Sequence, residues 1–493
     1  MTHSDSYALG FTTLDHEIEN TPLTVTGALP DWLSGTLIRT GPARFEVGKQ
    51  AYIHWFDGLA MLHAFPFDSG SVRYSNRFIR SRSWREAEEK GRIARGEFMT
   101  DPCRTIFGRV AALFAPKPTD NANVNIGVLG QRIVALTETP MPIRFDPHTL
   151  ETQGHLALGE AVKGQLSTAH PHSDGTRSYS YVIEMGRRSV YRLFVDEGGQ
   201  QRVLAELPAD QPSYMHSFGM SQRYLILTEF PLRVNPLRLA LSGRPFITNY
   251  RWQPERGTIF TVVDKTSGTV VARAEAAPCF AFHHVNAFEE KDAVHVDVLA
   301  YPDAGVIARL RLNRLRAGGP SSAVSTLTRF SIPLGGADSG SQAVEGEILC
   351  DTPFELPRID YLRRAGRRHI HVWGVGQSDA ATFLDMIVKI ELAGATPLVR
   401  RWHKDDCYAG EPVFVARPDG NAEDDGILLS VVLDARAQTS FLLVLDAATL
   451  AERARAAVPH HIPFGFHGNH FPEPTLPGFG GGAAVKERPG RSR

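Results

Sequence analysis

At 493 residues, with 53 basic and 54 acidic side chains, the chain is nearly neutral, which argues against a general nucleic-acid footprint. The four cysteines, Cys103, Cys279, Cys350 and Cys407, are scattered without a CxxC pair, against both a disulfide framework and a thiolate metal site. No run approaches the roughly 20 apolar residues of a spanning helix, and the start MTHSDSYALGFTTLDHE has no secretory signal pattern; the expected setting is reduced and cytoplasmic, in solution or peripheral at a membrane.

In chain order, the first turn signal is PFDSGS at 66–71, followed by the best helix candidate, WREAEEKGRIA at 84–94. From there the chain reads as β. Short runs rich in branched and aromatic residues recur: RIVALTE (132–138), SYSYVIE (178–184), YLILTEF (224–230), TIFTVVDK (258–265) and AVHVDVLAY (293–301). HIHVWGVG (369–376), GILLSVVLD (426–434) and SFLLVLD (440–446) continue the series. Further Asp-containing turns close strands at 144–150, 194–199, 262–268 and 444–450. An Asp there predicts an Asx-type hairpin turn, its carboxylate accepting from the backbone ahead. Repeated strand, Asp turn, strand units predict an all-β β-propeller, although no strict period sets the blade number. Residues 1–476 are expected to form one domain with insertions, and the glycine-rich, basic 477–493 reads as a disordered tail.

Four histidines stand in distinctive settings far apart: His170 in STAHPHSD, His216 in YMHSFGM, His283 in FHHVNAFEE and His467 in GFHGNHFP. Only a closed, multi-strand scaffold could bring them together, and a divalent metal is the natural occupant of converging imidazoles. Nineteen histidines are present, so most are not ligands. Strand alternation allows only one of His283 and His284 to face a central channel, without saying which.

The segments GPARFEV (41–47), HWFDGLAMLHAF (54–65), TDNANVNI (119–126) and ALTETPMPIRFDPHTLET (135–152) resemble the carotenoid cleavage oxygenase family. With the four histidine segments and EDDGILLSVVLD (423–434), the likeness runs from about residue 30 to 470. IARGEFMTDPCRTIFGRV (93–110) is closest to the animal β-carotene oxygenase and retinoid isomerase branch. The resemblance implies a seven-bladed propeller with insertions capping the iron-bearing face. It also implies Fe(II) held by His170, His216, His283 and His467, choosing His283 over His284 and His170 over His172. Glu138, Glu355 and Glu411 match the carboxylates that orient the ligand rings, and Val124 matches a position pointing a methyl at an open iron site.

The implied reaction inserts dioxygen across one double bond of a carotenoid or apocarotenoid, giving two carbonyl products. No GxGxxG or Walker-type loop competes with this reading. The 27 Phe, 12 Tyr and 6 Trp offer lining for an apolar tunnel. A membrane-dissolved substrate also implies an apolar entry patch, for which FGRVAALFAPKP (107–118) and FPLRVNPLRLALSGRPF (230–246) are candidates. A stilbene-cleaving activity is disfavoured because Thr137 stands where such enzymes place a Lys. An isomerohydrolase of the animal branch, and a carotenoid binder without catalysis, are the remaining alternatives. Cys103 resembles a position lipid-modified in some animal members, and no modification is assumed here.

Overall fold

The computed structural model describes residues 3–102, 118–318, 324–335, 340–379 and 382–472. Seven sheets form the blades of a β-propeller. Each expected strand is present within a residue or two of its sequence bounds, from Arg132–Leu136 through Arg177–Glu184 and Gly426–Asp434 to Thr439–Asp446. These runs are apolar on both faces because each blade is covered by its neighbours on both sides. Tyr181, Leu193 and Leu207 of the third blade pack with Leu225, Leu227 and Val263 of the fourth. Trp373 and Val375 of the sixth blade likewise meet Leu428 and Leu443 of the seventh.

Asp turns close the hairpins as expected at four of the five positions. Asp146 Oδ1 accepts the backbone N–H groups of His148 and Thr149 at 2.9 Å each, and Asp264 Oδ1 those of Thr266 and Ser267, also at 2.9 Å. Asp196 and Asp446 accept from Gly199 and Thr449. Asp68 differs: its carboxylate takes the Ser69 hydroxyl instead. The helix expected over 84–94 is Arg82–Lys90. Ser81 caps its start through Trp84 N–H, and Gly91, at φ 59°, stops it in the left-handed conformation that glycine tolerates.

The ring closes twice. The N-terminal strand Thr24–Gly27 pairs with Glu452–Ala457 in the seventh blade. The late strand Gly468–Phe471 pairs with Gly35–Arg44 in the first. At one edge of every blade, in a strand or just beside one, lies a residue that sequence reading singles out. Val124 precedes Asn125–Leu129, and His170 lies between Leu166–Ser167 and His172–Ser173. His216 leads into Gly219–Met220, and His283 into His284–Glu290. Glu355 is within Phe354–Arg358, Glu411 lies between Cys407–Ala409 and Val413–Ala416, and His467 precedes Gly468–Phe471. The blades thus bring four imidazoles from four of them together, which no contiguous motif could do.

Candidate metal centre

One ring nitrogen from each of His170, His216, His283 and His467 lies within 4.8 Å of the other three. His170 Nε2 is 2.9 Å from His216 Nε2, and His283 Nε2 is 3.1 Å from His467 Nε2. Behind three of the rings stand the three glutamates. The Nδ1–H groups of His216, His283 and His467 donate to Glu138 Oε1, Glu355 Oε2 and Glu411 Oε1, each at 2.6 Å. A carboxylate at Nδ1 sets the tautomer, so each Nε2 carries a lone pair toward the axis.

That tautomer tests the fit to a metal. Two acceptor nitrogens facing each other at 3.1 Å, as in His283 and His467, repel unless a cation lies between them. Nitrogens about 2.1 Å from one centre and at right angles stand about 3 Å apart, close to the 2.9 and 3.1 Å separations found. Burial, reinforced by the neighbouring imidazoles, pushes His170 well below its ordinary pKa and keeps it neutral. Burial likewise lowers His467 to about 4 against the pull of Glu411. Four imidazoles without a first-sphere anion suit a divalent transition metal, and this group can bind one.

The carboxylates are themselves anchored. Tyr214 OH donates to Glu138 Oε1 and Oε2 at 2.9 and 3.1 Å. Tyr301 OH donates to Glu355 Oε1 at 2.5 Å, and Leu356 N–H to Oε2 at 3.1 Å. Arg358 forks onto Glu411 through Nε at 2.8 Å and Nη2 at 2.9 Å. Burial opposes ionisation of Glu411, but Arg358 and His467 outweigh it and hold the carboxyl well below the usual range. Glu355 is lowered in the same way, His283 overcoming burial.

The histidines that compete in sequence are occupied elsewhere. His284 is held by the hydroxyls of Ser217 and Thr228, both at 2.8 Å. His172 engages Tyr361 OH at 2.9 Å and the Phe218 carbonyl at 2.8 Å, while His470 bonds the Ser34 carbonyl at 2.8 Å. Val124 sits beside the cluster, its carbonyl accepting His467 N–H at 3.2 Å. Sequence reading passed over Tyr214, Tyr301, Arg358 and Arg39. Tyr214 lies in YMHSFGM, Tyr301 closes a strand run and Arg358 follows Glu355 by three residues; Arg39, 5% exposed, carries no sequence signal.

A cavity of about 1410 Å³ opens over His216, His283 and His467. Trp55, Phe56, Phe282, Phe383 and Phe466 line it, and Phe56 meets Phe466 edge-on at 5.1 Å between centroids. The insertions complete its walls: Gly96–Thr100 and the stretch around the helix Pro236–Ser242. Leu237, Leu239 and Ala240 of that helix line the cavity, and Leu237 and Leu241 are 68% and 63% exposed. The other proposed entry segment, 107–118, lies outside the described residues except for Pro118, as do Cys103 and the 477–493 tail. Among the described residues no helix is long and apolar enough to cross a membrane.

The family model described as retinal pigment epithelial membrane protein matches residues 11–472. The mitochondrial carotenoid-cleaving dioxygenase of Macaca fascicularis is 32% identical over 524 residues, covering 94% of each chain. The human beta,beta-carotene 15,15'-dioxygenase is 32% identical over 513 residues, covering 92% of each. A carotenoid isomerooxygenase of Galleria mellonella is 32% identical, covering 92% of this chain and 94% of its own. Among solved structures, cobalt-substituted Synechocystis apocarotenoid oxygenase superposes with a TM-score of 0.82 at 28% identity, covering 95% of this chain and 98% of that one.

Proposed function

The chain belongs to the retinal pigment epithelial membrane protein family of carotenoid oxygenases, and from that premise we propose that it is a non-haem Fe(II) dioxygenase of polyenes. Its substrate is a carotenoid or apocarotenoid, cleaved at one double bond with dioxygen to two carbonyl products. The observation that carries this reading is the set of four imidazoles, three of them both backed by carboxylates and lining a large cavity with aromatic walls.

His170, His216, His283 and His467 hold the iron, and Glu138, Glu355 and Glu411 keep three of the rings in the donating tautomer. Bound iron supplies what an organic side chain cannot, a route for triplet dioxygen to react with a singlet alkene. The remaining tasks fall to the chain. At about 1410 Å³ the cavity exceeds the roughly 300–1,000 Å³ usual for drug-sized ligands, in keeping with an elongated one. Its aromatic walls hold the polyene and exclude water from the reacting bond. Val124, next to the cluster and lining the cavity, would limit with its side chain what binds beside a metal held there.

The entry is read at Pro236–Ser242, where the exposed Leu237 and Leu241 dip into a membrane surface while Leu239 faces the cavity. This makes the protein peripheral at a membrane, within a single propeller domain. Thr137, a cavity-lining residue without charge, favours an apolar polyene over a phenolic stilbene.

The test is to incubate Fe(II)-loaded protein in air separately with an apocarotenal, β-carotene and resveratrol, identifying products by mass spectrometry. Paired aldehydes or ketones from a polyene, absent with His216→Ala, support the reading and locate the bond. Phenolic aldehydes from resveratrol alone overturn the substrate. Bound iron with no cleavage of any of them points to the isomerohydrolase chemistry of the family.

A further inference from the structure

Among the four imidazoles His467 is held differently. His170, His216 and His283 are each followed in the chain by the rest of their own blade. Among the described residues, His467 is followed by a single four-residue strand, Gly468–Phe471, that joins a blade built otherwise from residues 18–78. Its position therefore depends on the ring staying closed.

Two arginines grip this segment on both sides of the ligand. Arg358 forks onto Glu411, the partner of His467 Nδ1, and its Nη1 donates to Asn469 Oδ1 at 3.1 Å. The same guanidinium donates through Nη2 to the Gly468 carbonyl. Arg39 donates to the carbonyls of Phe466 at 3.0 Å and Glu411 at 3.1 Å. Residues 466, 468 and 469 and the carboxylate behind His467 are thus all bound by guanidinium. The segment also seats closely: a Cβ on Gly468 would meet the Ile38 carbonyl oxygen at 2.6 Å. The other two carboxylates are anchored by phenols, and among the described residues neither Glu138 nor Glu355 has an Arg or Lys at ion-pair distance. Three blades meet at this clasp, through Arg39, Arg358 and Glu411.

We propose that Arg358, with Arg39 behind it, is a positioning residue that clasps the C-terminal segment around His467, so that metal binding and closure of the propeller ring are one linked step. A metal bound by His467 ties the last strand to ligands from three other blades; a well-seated last strand in turn presents His467 at its coordinating position. Each must therefore strengthen the other. The inference rests on the four imidazoles being a metal site, and is independent of the substrate.

Hydrogen exchange of the full chain, Fe(II)-loaded and chelator-stripped, reads the linkage directly. Stripping should raise exchange in the peptide covering 466–472 well above any rise in 284–290, which follows ligand His283. Arg358→Met should raise exchange in 466–472 even with metal present, and should speed Fe(II) loss to a chelator by about tenfold or more, the equivalent of one lost charge-assisted hydrogen bond. Arg358→Lys, which keeps charge but loses the fork, should fall between. Glu138→Gln serves as the control: it should speed metal loss while leaving 466–472 no more exposed than in the stripped unsubstituted protein. Equal exchange at 466–472 with and without metal, or equal rises at both ligand segments, overturns the linkage. Fe(II) retention by Arg358→Met equal to the unsubstituted protein overturns the role of Arg358. A chain that takes up no Fe(II) at all overturns the metal site itself, and with it the proposed function.

Discussion

Glu138 offers the most informative single substitution, because its carboxylate touches the centre only through His216. It accepts the His216 Nδ1–H at 2.6 Å and the Tyr214 hydroxyl at 2.9 and 3.1 Å. Glu138→Gln preserves shape and one acceptor but removes the charge that polarises His216. Loss of an outer-sphere carboxylate commonly weakens metal binding about 10- to 100-fold, or roughly 1.4–2.7 kcal/mol. Tyr214→Phe removes only a donor to that carboxylate, worth about 1 kcal/mol and hence about fivefold. Because Tyr214 acts on the metal through Glu138, the double variant should bind metal about as weakly as Glu138→Gln alone. The assay is competition for Co(II) or Fe(II) against a chelator of known affinity, with circular dichroism to confirm the fold. Metal affinity for Glu138→Gln within about threefold of the unsubstituted protein would falsify the reasoning. So would a larger loss from Tyr214→Phe than from Glu138→Gln.

Other perturbations probe the entry, the scaffold and a buried acid. Leu237→Ser with Leu241→Ser should weaken sedimentation with liposomes, each exposed leucine being worth roughly 1.5 kcal/mol on insertion; Leu239→Ser, at the half-buried leucine of the three, should instead lower stability. Gly41→Ala would bring a Cβ within 2.7 Å of the Gly465 Cα, backbone against backbone and two residues from His467. It should lower the thermal midpoint at a cost of about 1–3 kcal/mol and reduce metal retention. Asp57 is pushed up to about 6 by burial, against hydrogen bonds from Thr100 and the Met99 N–H. A folded-state value above the unfolded one means that protonation favours the fold. The contribution of Asp57 is therefore complete below about pH 4 and lost as pH rises through about 6, on the order of 2–3 kcal/mol. Denaturant titrations of Asp57→Asn should lack that component; a pH slope identical to the unsubstituted protein between pH 4 and 6 would exclude it.

Much of this protein was legible in its sequence, for local reasons. Strands of branched and aromatic residues, and Asp residues that bond the backbone two and three positions ahead, are decided within a few residues, so their bounds and turns follow from the chain alone. Where a competing local signal is present, sequence reading overruns: Gly91 ends the helix before the apolar Ile93, which is buried outside it. The histidine and glutamate motifs could likewise be picked out, but only through their resemblance to a family. Composition and spacing left His283 and His284 equal.

Only the tertiary structure decided what depends on closing the ring. Four imidazoles from four blades meet, and the last blade partner of residues 35–44 comes from residues 468–471. Strand alternation permitted either member of the His283–His284 pair; hydroxyls from neighbouring elements, Ser217 and Thr228, turn His284 away. Arg39 and Arg358 look in sequence like ordinary strand cations. They become a clasp because two segments more than 400 residues apart, the strand bearing Arg39 and the His467 loop, are brought side by side. Backbone pairing and turn chemistry are local interactions that a chain carries wherever it folds, whereas convergence of imidazoles, carboxylates and guanidiniums exists only once long-range closure has fixed their distances.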